Sequence, residues 1–130
     1  MIIDSSALLA ILFGEPEMPA MARAIAEDPT RLCSAVNALE AAIVIEARKG
    51  PAGGRELDIL LYQGQIDIVP MTPDQLQLAR DAWRRFGKGR HAAGLNLGDC
   101  CAYALARSTG EPLLFKGEDF PRTDVRASSY

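Results

Sequence analysis

MIIDSSALLAIL, residues 1–12, is the stretch whose reading decides the fold. Residues 1–3 are a short apolar run that predicts a strand, and Asp4 stands where that strand ends. Ser5 or Ser6 is then placed to cap a helix carrying Leu8, Leu9 and Leu12. A carboxylate at the end of a buried strand costs free energy unless something positive meets it. No Lys or Arg precedes Arg23, so the partner is distant in sequence or is not a side chain. A metal ion is the simplest candidate, which makes the arrival of further acids the matter to look for.

Working outward, strand-like runs recur at 31–34, 66–69 and 112–115, with 124–127 as a further edge strand. Between them lie helical stretches at 20–26 and 35–49, the second capped by Ser34 and stopped by Gly50-Pro51. PAGG reads as a loop, followed by helices at 55–63 and 72–86, the latter opened by Thr72-Pro73. Asn96 or Gly98 starts the last helix, and Gly110 ends it. This alternation predicts an α/β fold, a small parallel β-sheet flanked by helices on both faces, formed as a single domain over 1–130. In such sheets the ligand site lies beyond the carboxyl ends of the strands.

Composition sets wide bounds. The net charge of −3 is unusual for a nucleic-acid binder, but it loses force if several acids are metal ligands. No apolar run approaches the roughly 18 residues of a membrane span, and no basic segment precedes Asp4 as a signal peptide requires. A cytoplasmic location is therefore expected. Cys33, Cys100 and Cys101 lack metal-ligand spacing and read as small buried residues.

Three more acids fall where the site is expected. Glu40 shares a helical stripe with Val36, Leu39, Ile43 and Ala47, read here as the core face, where a carboxylate needs a reason. Asp99 shares the face of Leu95, Ala102 and Ala106 in the first turn of the last helix, where the helix dipole also favours it. Asp119 follows the strand at 112–115. Gly87 to Gly94 hold Lys88, Arg90 and His91 in one basic loop, a candidate for phosphate contact. Lys116 is a further cation near the same strand end, and Trp83 is expected in the core with Leu76, Ala79, Ala82 and Phe86. Converging carboxylates suit hard cations such as Mg²⁺ or Mn²⁺, one or two of which hold a phosphodiester and activate a water. Neither a nucleophilic Ser–His or Cys–His arrangement nor a phosphate-binding glycine loop competes: GPAGG lacks the following Lys-Ser/Thr.

MIIDSSAL, the Glu within LEAAIVIEA, GLNLGDCCAYALA and LLFKGEDF together resemble a PIN-domain ribonuclease, more closely the VapC toxins of bacterial toxin–antitoxin pairs. The likeness spans nearly the whole chain in order and spacing. It implies a metal-dependent endoribonuclease with a PIN-like fold, in which Asp4, Glu40, Asp99 and Asp119 are catalytic and metal-binding acids. Ser6 matches the small hydroxyl residue that orients a carboxylate or water. The resemblance also implies a homodimer, and a VapB-type antitoxin that places a basic side chain among the acids. The expected chemistry is hydrolysis of RNA by a metal-activated water, with transfer, ribosomal and messenger RNA all open as targets.

Two other readings compete. A non-catalytic RNA- or partner-binding module of the same fold would keep these acids without turnover. A receiver-type phospho-acceptor domain also gathers acids around Mg²⁺ beside a late Lys, which Lys116 mimics. Against it, Asp4 is not part of an acidic pair, and no central strand ends in a phospho-acceptor Asp.

Overall fold

Four short strands make the sheet, in a computed structural model that describes residues 1–130. They are β1 (Ile2–Ile3), β2 (Leu32–Ser34), β3 (Asp67–Val69) and β4 (Leu113–Leu114), all parallel, in the order β3-β2-β1-β4. Six helices intervene: α1 (Ser5–Leu12), α2 (Met18–Glu27), α3 (Ala35–Lys49), α4 (Pro51–Gln63), α5 (Pro73–Phe86) and α6 (Leu97–Thr109). The expected small parallel sheet with helices on both faces is what forms. The edge strand expected at 124–127 reduces to one isolated bridge, Leu113 to Ala127.

The first and last strands are neighbours, with Ile2 opposite Leu113 and Ile3 opposite Leu114. Because side chains alternate across a strand, this register sorts the core into two. Ile3, Leu114 and Cys33 pack with Leu8, Met21, Ile45 and Leu57 from α1 to α4. Ile2 and Leu113 pack on the opposite face with Ala82, Tyr103 and Leu105 from α5 and α6. Tyr103 donates from its hydroxyl to Asp124 Oδ1 at 2.6 Å, which ties the C-terminal segment to α6.

Several local expectations need correction. Asp4, not Ser5 or Ser6, caps α1: its side chain accepts from the Ser6 N–H at 3.0 Å. PAGG is not a loop. Pro51 occupies the first turn of α4, where its missing N–H is no loss. Gly53 lets α4 close on α3, since a Cβ there would stand 2.6 Å from the Ile45 carbonyl oxygen. The face of α3 turned to the core carries Asn37, Ala41 and Ile45, while Leu39 and Ile43 are 61% and 60% exposed. Trp83 also lies outside the core, at 46% exposure; α5 buries Gln75, Ala79 and Ala82 instead. The packed stripe holds small or amide residues on α5, and Asn37 and Ala41 beside Ile45 on α3, while Leu39, Ile43 and Trp83 sit one stripe away.

Candidate active site

The carboxyl ends of β1 and β4 open into a cleft of about 390 Å³ lined by Asp4, Ser5, Ser6, Glu40, Asn96, Asp99, Glu118 and Asp119 among others. All four acids singled out in the sequence reach it, from β1, α3, α6 and the loop after β4. None of Lys88, Arg90 or His91 does. Lys116 borders the cleft, but its ammonium is turned to Glu15 and, at 3.2 Å, to Glu17.

Asp4, Glu40 and Asp99 are each aimed by a different neighbour. Asp4 is 2% exposed, and its Oδ2 accepts from the Ser6 N–H and, at 2.6 Å, from the Ser6 hydroxyl. That hydroxyl in turn accepts from the Lys116 N–H at 2.9 Å, joining the start of α1 to the strand end of β4. Ser5 donates from Oγ to Glu40 Oε1. Glu40 lies against α6: a Cβ on Gly98 would meet its carboxylate oxygens at 2.5 Å. Asn37, one turn before Glu40, fixes this approach by donating from Nδ2 to the Gly98 carbonyl at 3.0 Å. Asp99 accepts on Oδ2 from the Asn96 N–H at 3.1 Å, while Asn96 Oδ1 accepts from the Asp99 N–H at 2.9 Å. This reciprocal pair is a capping box, which satisfies two otherwise orphaned donors at the start of α6. Asp119 is exposed at the lip, just before a short 3₁₀ turn, Phe120–Arg122.

The electrostatics are those of acids crowded without a counter-charge. Burial pushes Asp4 up to about 7, against the two Ser6 hydrogen bonds, and Asp99 and Glu40 add repulsion. Burial likewise pushes Asp99 up to about 6, with Asp119 and Glu40 repelling it further. Asp4 Oδ1 is buried and has no hydrogen-bond partner. No three Asp, Glu, His or Cys side chains converge tightly enough to grip one ion as they stand. The donor chemistry nevertheless fits a hard divalent cation: carboxylate oxygens on separate elements, one with an unmet lone pair, and no ammonium or guanidinium between them. The thiols are no rivals, since burial pushes Cys33 up to about 12 and Cys100 up to about 11.

The basic loop lies elsewhere. Lys88, Arg90 and His91 are exposed between α5 and α6. Arg90 lays its guanidinium over the Trp83 ring at 4.6 Å. His91 Nδ1 accepts from the Ala93 N–H at 3.0 Å, so the one histidine shapes its own loop. Ser5, Asn37, Asn96 and Gly98 were not singled out as site residues from sequence. Asn96-x-x-Asp99 carries a readable signal as a capping box, whereas the others depend on how α3 meets α1 and α6.

Comparison with known proteins gives the family of the chain. The pattern of the PIN domain matches residues 1–126. The chain is similar to a protein named Ribonuclease VapC of Mycolicibacterium smegmatis, 55% identical over 127 residues, covering 98% of each chain. It is 53% identical over 125 residues to Ribonuclease VapC30 of Mycobacterium tuberculosis, covering 96% of this chain and 95% of that one. Among solved structures, Mycobacterium tuberculosis VapC20, described as a sarcin-ricin loop cleaving toxin, superposes with a TM-score of 0.75. At 16% identity, covering 95% of each chain, that likeness concerns the fold.

Proposed function

Because the chain belongs to the PIN-domain family, among its VapC ribonucleases, we propose that it is the toxin of a toxin–antitoxin pair, an endoribonuclease that hydrolyses RNA phosphodiester bonds in the Asp4–Glu40–Asp99–Asp119 cleft with Mg²⁺ or Mn²⁺ as cofactor. The observation that carries this reading is the buried, partnerless Asp4 Oδ1 among acids that no side-chain cation neutralises.

Asp4, Glu40 and Asp99 would hold the ion, with Asp119 closing the set from the lip. A bound cation supplies a water of lowered pKa and offsets charge on the scissile phosphate. The chain's own part is orientation. Ser6 occupies Asp4 Oδ2, while Oδ1 has no partner in the protein; Ser5 holds Glu40; the Asn96 N–H holds Asp99. Attack of water on phosphorus with the ribose 3′-oxygen as leaving group gives 5′-phosphate and 3′-hydroxyl ends. Purified protein free of antitoxin is expected to cut RNA with Mg²⁺ or Mn²⁺ and to stop in EDTA. Ends mapped as 2′,3′-cyclic phosphates, or equal cutting in EDTA, would contradict it. Folded protein that binds RNA and never cuts would favour the non-catalytic module.

Two further outcomes are expected. Gly98→Ala pushes the Glu40 carboxylate aside, because its end is the more movable of the two groups; cleavage falls roughly ten-fold or more while the melting temperature moves little. Lys88→Ala with Arg90→Ala weakens RNA binding and lowers the salt slope of log K by about 1.4, as loss of two single-strand phosphate contacts requires. An unchanged slope would reduce that loop, with His91, to a connection. Lys116 borders the cleft and is proposed as a further RNA contact, reached when RNA displaces Glu15 and Glu17.

The proposed partners are RNA (transfer, ribosomal or messenger), a second copy of the chain, and a VapB-type antitoxin. Exposed Leu39 and Ile43 beside Glu40 give a homodimer an apolar face, and a cleft of uncompensated acids suits a basic antitoxin side chain. No helix is long and apolar enough to cross a membrane, and the proposed place of action is the cytoplasm.

A further inference from the structure

Lys116 is the only cation among the residues that line the acid cleft. Its main chain is fixed beside the acids: the N–H donates to the Ser6 hydroxyl at 2.9 Å, and that hydroxyl donates to Asp4 Oδ2 at 2.6 Å. The ammonium nevertheless turns away. It pairs with Glu15 and, at 3.2 Å, with Glu17 Oε2, neither of which lines the cleft. Both glutamates are held in place for it by the connection between α1 and α2. Gly14 turns the chain at φ +64°, the Glu15 N–H donates to the Ala10 carbonyl at 2.9 Å, and the Glu15 carbonyl accepts from the Met18 N–H at 2.9 Å. Pro16 stiffens the backbone between the two. Glu17 Oε2 is covered from water and has no partner but the Lys116 ammonium.

A lysine anchored here has two places to put its charge, among the carboxylates of the cleft or on Glu15 and Glu17, and a flexible four-carbon stem serves either. An ammonium among the acids would relieve their repulsion itself and compete with a divalent ion for the same charge. We propose that Glu15 and Glu17 are positioning residues that park the Lys116 ammonium off the carboxylates and so keep the cleft open to a divalent cation. The inference rests on the metal-dependent ribonuclease reading and adds to it the means by which the chain avoids neutralising its own cleft. Lys116, Glu15 and Glu17 are partly exposed, at 39%, 35% and 31%, and ion pairs that meet water are weak. The parking is therefore reversible, and a phosphate of a bound strand can compete for the same ammonium.

The test measures Mn²⁺ binding in the absence of RNA, from the electron paramagnetic resonance signal of the free ion. It is run at about 0.15 M salt, where exposed charges more than about 8 Å apart are largely screened. The cycle compares wild type, Lys116→Gln, Glu15→Gln with Glu17→Gln, and the triple variant. Lys116→Gln alone is expected to change the Mn²⁺ affinity by about two-fold at most, because the parked ammonium is not among the acids. Glu15→Gln with Glu17→Gln lowers the affinity about ten-fold or more, since the freed ammonium then competes for the carboxylates. Adding Lys116→Gln restores it. Simple loss of two surface charges predicts instead the same gain from Lys116→Gln in both backgrounds, and that additive result would overturn the proposal. Unchanged Mn²⁺ affinity in Glu15→Gln with Glu17→Gln would overturn it too. So would failure of that variant to fold, read from its melting curve in EDTA, which would make the three residues a structural staple. Wild type that binds no Mn²⁺ would remove the metal reading itself, and this inference with it.

Discussion

Asp99→Asn will lower RNA cleavage by about a thousand-fold or more, equivalent to roughly 4 kcal/mol of lost transition-state stabilisation. The substitution isolates charge from shape. The amide oxygen still accepts from the Asn96 N–H, so the capping box that starts α6 is kept, and only the negative charge leaves the cleft. Burial and two neighbouring acids already push Asp99 up to about 6, so the folded protein has no need of that charge for its own stability. The melting temperature should therefore stay level or rise as activity disappears. Paired rates and melting curves of the two proteins, prepared identically, check this. Equal cutting by both would point to a contaminating nuclease or to chemistry outside the cleft. Loss of activity together with loss of fold would make Asp99 structural.

In the metal-free protein, the heat stability of Asp4→Asn relative to wild type will rise with pH. The Asp4 carboxyl is raised in the folded state, from an ordinary value near 3.8 to about 7. Its contribution is thus fully present below about pH 3.8 and is lost as pH climbs through 7, because the unfolded chain releases the proton first. A tenfold difference in proton affinity between the folded and unfolded chain is worth about 1.36 kcal/mol. Between pH 4.5 and pH 8 wild type therefore loses roughly 3 kcal/mol that the amide does not, or about 10 °C in melting temperature for a chain of this size. Asn keeps the cap, since its carbonyl can accept from the Ser6 N–H and hydroxyl as Oδ2 does. Its amide hydrogens then face the place where Oδ1 lacks a partner, a fixed cost at every pH. For that reason the readout is the change in the difference between pH 4.5 and pH 8, measured in EDTA. A difference that stays flat with pH would show that Asp4 is not held in a dry, acid-crowded place. Added Mn²⁺ should stabilise wild type most at the alkaline end and Asp4→Asn hardly at all.

The first strand, the sheet type and three of the four acids were legible because each leaves a local mark. Asp4 ends an apolar run, Asp99 sits three residues after Asn96 at a helix start, and Asp119 follows LLF. Glu40 was reached by the wrong route. The stripe read as core, with Leu39 and Ile43, faces outward, and Glu40 lies at its edge, where α3 meets Gly98 of α6. Period alone cannot choose between two adjacent stripes of one helix when the packed one holds Asn37, Ala41 and Ile45. Trp83 shows the same ambiguity on α5, where Ala79 and Ala82 are buried instead. Glycine and proline misled at 51–54 for a related reason. The same residues that break a helix in isolation permit one that must lie almost in contact with another backbone.

The Ser6 hydroxyl bonds Asp4 on one side and the Lys116 N–H on the other, and β1 pairs with β4 along its length. The two ends of that handshake are 110 residues apart. A growing polypeptide therefore exposes Asp4 long before anything can complete the pocket around it. Only when residues 113–119 have left the ribosome can the sheet close and bring Asp119 to the other acids. Until then the proposed cutting centre is absent by topology, and a partly made chain carries its first acids without the pocket that would let them hold an ion together.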